Sequence, residues 1–220
     1  MEKPSIKIAR LLVRLGASAN FLTIAGLFLA LASGCLIFQG SFFVAGSILL
    51  LSGFFDMLDG AVARVSGTQS KFGGVLDSSL DRYGDGFVFG GIVLFYVNLH
   101  RLQYVALAIS ALLGSFSISY VRARAECEVD DCRVGFWERG ERIVFIALAL
   151  FFHNLEAALC ILGVGAHWTV LQRLFFARYQ TKEISAQSKA LCNAPGRRCM
   201  AYYIKIATLI FLLVFWRVPF

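Results

Sequence analysis

Five aspartates fall close together in an otherwise apolar part of the chain: Asp56, Asp59, Asp77, Asp81 and Asp85. Asp56 and Asp59 stand at i, i+3, and Asp77 and Asp81 at i, i+4, so each pair shares one face of a helix. The short segment 65–72 joins the two stretches. Two antiparallel helices would therefore bring four carboxylates together. Ionised and alone they repel one another. One or two divalent cations bound through carboxylate oxygens remove that repulsion. Gly60, Ala63, Gly73 and Gly74 are small enough to let the helices, or a substrate, come close. Acids among small-residue helices also suit a cation transporter, which predicts them near the middle of a membrane.

The elements that must hold these acids are membrane helices. Of 220 residues, 58% are hydrophobic and 16% charged, and the mean hydropathy is +0.71. Soluble domains run at about 45–50% apolar and about 25% charged. The composition excludes a disordered chain, a disulfide scaffold and an ordinary soluble enzyme. Spans are expected at 20–38, 42–64, 75–98 and 103–122, with two more in 142–177 broken near His153-Asn154-Leu155-Glu156. A run at 201–217 is a seventh span or a re-entrant piece. The expected architecture is all-α: one polytopic bundle over 1–220 with a six-span core at 20–177, because an open strand cannot satisfy its backbone in lipid. Residues 4–16 read as a basic amphipathic interfacial helix, with a plain basic tail as the alternative. The first residues lack a signal peptide's apolar core.

Each charged aspartate at a span centre costs about 2.5–3.5 kcal/mol on insertion scales, so five are not incidental. The net charge is +7. With the N-terminus in the cytoplasm and the spans alternating, every Lys and Arg except Arg82, Arg101 and Arg217 falls on the cytoplasmic side. The basic balance thus reads as topology and attraction to lipid headgroups, with no case for a nucleic-acid partner. The carboxylate pairs lie toward that same side, which disfavours the transporter reading and predicts a multi-pass protein of the cytoplasmic membrane whose site faces the cytoplasm.

Asp56-Met-Leu-Asp59-Gly60-Ala-Val-Ala63-Arg64, then Gly73, Asp77 and Asp81, resembles the signature of the CDP-alcohol phosphotransferase family at every defined position. The resemblance implies transfer of a phosphatidyl (or archaetidyl) group from a CDP-linked lipid to a hydroxyl, with release of CMP. It implies Mg²⁺ or Mn²⁺, as two ions, bound by Asp56, Asp59, Asp77 and Asp81. Asp81 is then also the general base. Gly60 and Arg64 would face the donor phosphates, and Ser70 the nucleotide. Asn20-Phe21-Leu22-Thr23 resembles the family's cytidine-lining segment, with Ala19 where a Pro is usual. Family members are usually homodimers, so a homodimer is implied here. Asp85, one turn past Asp81, reads as a supporting or cavity-lining polar group.

Three further segments resemble those of prokaryotic phosphatidylinositol phosphate synthases and their archaeal ether-lipid relatives: 119–126, 135–142 and 169–173. Carried over, Arg122, Arg142 and Arg173 would bind the phosphate of inositol phosphate, where arginine forks suit the geometry. The alternatives are three arginines snorkelling at span ends, the same chemistry on glycerol 3-phosphate, or a scaffold that keeps the motif without catalysis. Glu138 and Glu141 read as structural ion pairs. Cys127/Cys132 with Cys192/Cys199 allow a four-thiolate metal site only at unusual spacings. His100, His153 and His167 are scattered, and Trp137, Trp168 and Trp216 read as interfacial anchors.

Overall fold

A computed structural model describes residues 4–128 and 134–187. The described residues form seven helices: α1 (Pro4–Arg14), α2 (Ala19–Phe38), α3 (Phe42–Ser66), α4 (Lys71–Asn98), α5 (Leu102–Ala125), α6 (Arg139–Phe151) and α7 (Leu155–Gln187). Each expected span of the six-span core has its helix, and the break near His153 falls between α6 and α7. The 201–217 run, Cys132, Cys192, Cys199 and Trp216 lie outside the described residues. Cys127 is a free thiol.

By length and composition, α2, α3, α5 and residues 155–181 of α7 qualify as membrane spans. The 28-residue α4 is long enough but carries Lys71, Asp77, Asp81, Arg82 and Asp85, and α6 has only 13 residues. These two helices carry Asp77, Asp81 and Asp85 and Arg139 and Arg142 of the polar site, which α3 completes with Asp56 and Asp59.

Local chemistry fixes the helix ends. Ser18 accepts a hydrogen bond from the Phe21 amide and opens α2. Gly67, at φ 68°, closes α3 in the left-handed conformation that glycine adopts without penalty. Ser70 then accepts from the Gly73 amide at 2.9 Å and opens α4. Glu141 accepts from the Glu138 amide at 2.9 Å and Glu138 answers it, a capping box at the start of α6. These two glutamates cap a helix, where ion pairs were expected.

Phe42 meets Phe95 at 4.9 Å and His153 at 5.6 Å between ring centres. The α2–α3, α4–α5 and α6–α7 turns therefore cluster at one end of the bundle. His100 and His153 are turn residues there, with φ 54° and 53°. The aspartates lie toward the other end. The main core, with Ile37, Leu49, Phe89, Ile92, Leu150 and Leu159 fully buried or nearly so, fills the middle. In lipid such packing holds helices together by close van der Waals contact.

The closest approach is between α2 and α4. A Cβ on Gly91 would sit 2.8 Å from the Cα of Gly34, and one on Gly34 would sit 2.9 Å from the Phe87 carbonyl carbon. No other residue type leaves room for this backbone contact. It sets the separation of the helix that opens with Asn20-Phe21-Leu22-Thr23 from the one that bears Asp77 and Asp81.

Helix α1 covers 4–14 of the expected 4–16. Its Ala9 is buried with Leu22 of α2 and Leu58, Ala61 and Val62 of α3, while Ile8, Leu11 and Leu15 stay exposed. Exposed apolar residues beside Lys7 and Arg14 fit a helix lying in a membrane interface. Trp137 departs from expectation: it is 2% exposed and packs edge-on against Phe136 and Phe145, so it is core and not an interfacial anchor.

Candidate active site

One carboxylate oxygen each from Asp56, Asp59 and Asp77 lie within 4.8 Å of one another. Asp56 and Asp59 sit one turn apart on α3, and Asp77 faces them from α4. Asp59 is buried, and its Oδ2 accepts a 2.7 Å hydrogen bond from the Thr23 hydroxyl on α2. Thr23 thus reaches the carboxylates. Asn20 and Phe21, expected beside it, are exposed. Leu22 is 3% exposed inside the α1–α2–α3 packing, so its side chain offers a ligand nothing. The α2 periodicity points it away from Thr23.

Asp77 Oδ1 is buried and has no hydrogen-bond partner. An orphaned buried carboxylate oxygen is costly, and a hard cation satisfies it. Three clustered carboxylates with one oxygen left over fit a divalent ion of the Mg²⁺ or Mn²⁺ kind.

Asp81 stands beside this trio and not within it. Its Oδ1 is 2.7 Å from Nη1 of Arg139, and the same nitrogen is 2.6 Å from Asp56 Oδ1. Arg139 also approaches Asp85, at 3.7 Å from Nε to Oδ1. In the sequence Arg139 stands only as one of the basic residues of one membrane side. Its signal was its position one turn before Arg142 at the start of an apolar helix, where both arginines share a face.

Asp85 holds Arg142 directly, with Oδ2 3.0 Å from Nη2. Arg142 Nη1 donates to the Trp137 carbonyl at 2.9 Å. Asp85 is therefore the supporting partner. Arg173, 2% exposed on α7, donates from Nε to the Val134 carbonyl at 2.8 Å and from Nη1 to the Ile118 carbonyl at 2.7 Å. It ties α5, the segment before α6, and α7 together. Arg122 pairs with Glu126 one turn on, at 2.8 Å.

The three arginines meet. Arg122, Arg142 and Arg173 line one cavity of about 320 Å³, whose wall also includes Asp81, Arg139 and Ser119. That volume is in the range of small-molecule sites. Arg142 and Arg173 are anchored by directed hydrogen bonds, which argues against plain snorkelling for these two. Snorkelling puts the charged head in water, and both of these heads are buried.

Arg64 is exposed, and its Nη1 would lie 3.5 Å from a Cβ on Gly60, so the guanidinium lies across the glycine. The Ser70 hydroxyl is committed to capping α4. Ser70→Ala is expected to lower stability by about 1 kcal/mol, read as a lower melting midpoint in detergent.

Among known proteins, the archaetidylinositol phosphate synthase of Pyrococcus horikoshii is 36% identical over 81% of this chain and 93% of its own. The phosphatidylinositol phosphate synthase of Corynebacterium glutamicum is 33% identical over 77% of this chain and 82% of its own. Crystal structures of the Mycobacterium tuberculosis phosphatidylinositol phosphate synthase share the fold. The form with CDP-DAG bound superposes with a TM-score of 0.72 at 31% identity, covering 80% of this chain and 94% of that one. The complex with manganese and citrate gives 0.73 at 30% identity, over 90% and 97%. Residues 17–177, which hold the whole aspartate motif and all three cavity arginines, match the CDP-alcohol phosphatidyltransferase family model, and the chain belongs to that family of membrane transferases.

Proposed function

We propose that this enzyme transfers the phosphatidyl, or archaetidyl, group of a CDP-linked lipid to a hydroxyl of inositol phosphate and releases CMP. The observation that carries the reading is the cavity in which Arg122, Arg142 and Arg173 converge next to Asp81. A proton acceptor stands there beside a place for the acceptor's phosphate. The names of the similar synthases support the same acceptor.

In this reading Asp56, Asp59 and Asp77 hold the divalent ion. When bound, it supplies charge stabilisation for the pyrophosphate oxygens and the leaving CMP. Gly60 leaves room for the donor pyrophosphate, and Arg64 pairs with it. Asn20 and Phe21, at the exposed start of α2, lie by the nucleotide. The three arginines orient the acceptor by its phosphate, and Asp81 takes the proton of the attacking hydroxyl. The new bond joins that oxygen to the lipid-side phosphorus, and the bond to the CMP oxygen breaks. The site opens toward the membrane face that carries most of the basic residues, proposed to be the cytoplasmic face of the cell membrane. The family resemblance further supports a homodimer, to be read from the particle mass in detergent.

The test is an acceptor panel with purified protein. CMP release from a CDP-lipid should require Mg²⁺ or Mn²⁺ and stop with a chelator. It should run at least tenfold faster, by kcat/KM, with inositol phosphate than with glycerol 3-phosphate or free inositol. Faster turnover of glycerol 3-phosphate would reject the acceptor assignment.

A further inference from the structure

Arg139 differs from the arginines around it. Arg142 and Arg173 hold fixed carbonyls and, for Arg142, one carboxylate, through aligned hydrogen bonds. Arg139 lies between three carboxylates, on α3 and α4, and its Nε and Nη1 make no aligned hydrogen bond. It acts there as a charge, and its shared Nη1 sits almost equidistant from Asp56 and Asp81. Besides a space bordered by Asp85, Phe89 and Arg142, it lines two that bear on the reaction. One borders Thr23, Asp56 and Asp81, and the other is the arginine-lined cavity. A single guanidinium therefore borders both halves of the reaction.

Asp56 cannot give its charge fully to Arg139 and to a divalent ion at once. An ion held by Asp56, Asp59 and Asp77 weakens the Asp56–Arg139 attraction and adds a like charge nearby. The guanidinium is then drawn to whatever anion the arginine-lined cavity holds. We propose that Arg139 is a positioning residue that links the two sites: divalent-ion binding at Asp56, Asp59 and Asp77 and phosphate binding in the Arg122–Arg142–Arg173 cavity strengthen each other through it. The inference rests on the reading of that cavity as the acceptor site. Linkage is reciprocal, so either ligand reports on it. Arg139 needs no contact with the reacting atoms for this, and it keeps Asp81 paired until an acceptor arrives.

The experiment measures Mn²⁺ binding to the full-length protein in detergent, without CDP-lipid, so that no turnover occurs. Free Mn²⁺ is followed by electron paramagnetic resonance, with and without saturating inositol phosphate, glycerol 3-phosphate or inorganic phosphate. In the intact protein, a phosphate-bearing acceptor is expected to tighten Mn²⁺ about fivefold or more. In Arg139→Gln the acceptor should shift the Mn²⁺ affinity by less than twofold. Without acceptor, that variant should bind Mn²⁺ more tightly than the intact protein, because a competing cation is gone. Arg139→Lys keeps the charge but loses the fork, and should retain part of the linkage. That variant also serves if Arg139→Gln does not fold. The proposal is overturned if no phosphate compound changes Mn²⁺ affinity in the intact protein. It is equally overturned if Arg139→Gln keeps the full shift, or if it weakens Mn²⁺ binding in the absence of acceptor. If glycerol 3-phosphate gives the shift and inositol phosphate does not, the acceptor assignment falls while the linkage stands.

Discussion

Asp81→Asn is expected to lower CMP release by about 10²–10⁴-fold, the usual contribution of a positioned general base. Asn keeps the shape and the nearby packing but cannot take a proton. Asp56, Asp59 and Asp77 form the oxygen trio without Asp81. The variant should therefore still bind Mn²⁺ and CDP-lipid, and single-turnover CMP release should expose the defect in the chemical step. An Asp81→Asn protein with more than half of the normal rate would remove Asp81 from its role. A variant that lost Mn²⁺ binding together with activity would instead make Asp81 a metal ligand in the main. The contrast with Asp59→Asn sharpens this, since Asp59 is buried inside the trio and receives the Thr23 hydroxyl. That variant should lose the ion itself.

The second large effect comes from a residue with no functional group. Gly91→Leu is expected to abolish activity and to prevent recovery of a monodisperse protein in detergent. Gly91→Ala should lower the melting midpoint by several degrees, in line with the roughly 1–3 kcal/mol cost of overpacking a tight contact. The reason is the backbone contact with Gly34, where any Cβ on Gly91 would meet the α2 main chain. Forcing α2 from α4 shifts Thr23 relative to Asp77 and Asp81, so the damage reaches the site at the other end of the helices. Glycines that face open space, such as Gly86 and Gly90, should accept Ala with little effect on the same melting assay. Ala adds helix propensity and meets nothing at Gly90, so an equal loss there would show that the α2–α4 contact is not what makes Gly91→Ala costly.

Much of this architecture was legible in the chain. Apolar runs with sharp polar turns located every core helix, since lipid forbids unpaired backbone and leaves helices as the economical solution. The aspartate spacing placed Asp56, Asp59 and Asp77 together because helical periodicity is local and strict. Three features were not legible, each for a physical reason. Arg139 lies far along the chain from the acids it meets, and its charge was already accounted for by the membrane-side asymmetry. Leu22 lies next to Thr23 in a motif, but neighbours on a helix point in different directions, and only tertiary packing showed which one faced Asp59. Ser70 and the Glu138–Glu141 pair carry side chains that serve equally as ligands or as caps. The choice was made by where α4 and α6 begin. Trp137 shows the same limit, because an aromatic near a span end is an anchor only if its surroundings leave it at the surface.

The ion pairs between α4 and α6 also bear on how the protein enters the membrane. As it is made, α4 carries Asp77, Asp81 and Asp85 with only Arg82 and Lys71 to offset them. The cations that later neutralise its inward face, Arg139 and Arg142, lie on α6 and are synthesised after the whole of α5. A segment of this polarity is poorly retained by a bilayer on its own. Biogenesis therefore favours holding α4 at the insertion machinery until α6 arrives, so that the two leave for the lipid as a neutralised pair. A cysteine introduced into α4, which has none of its own, should react with water-soluble thiol reagents in a ribosome-tethered chain ending before Arg139 and be protected in one ending after α7.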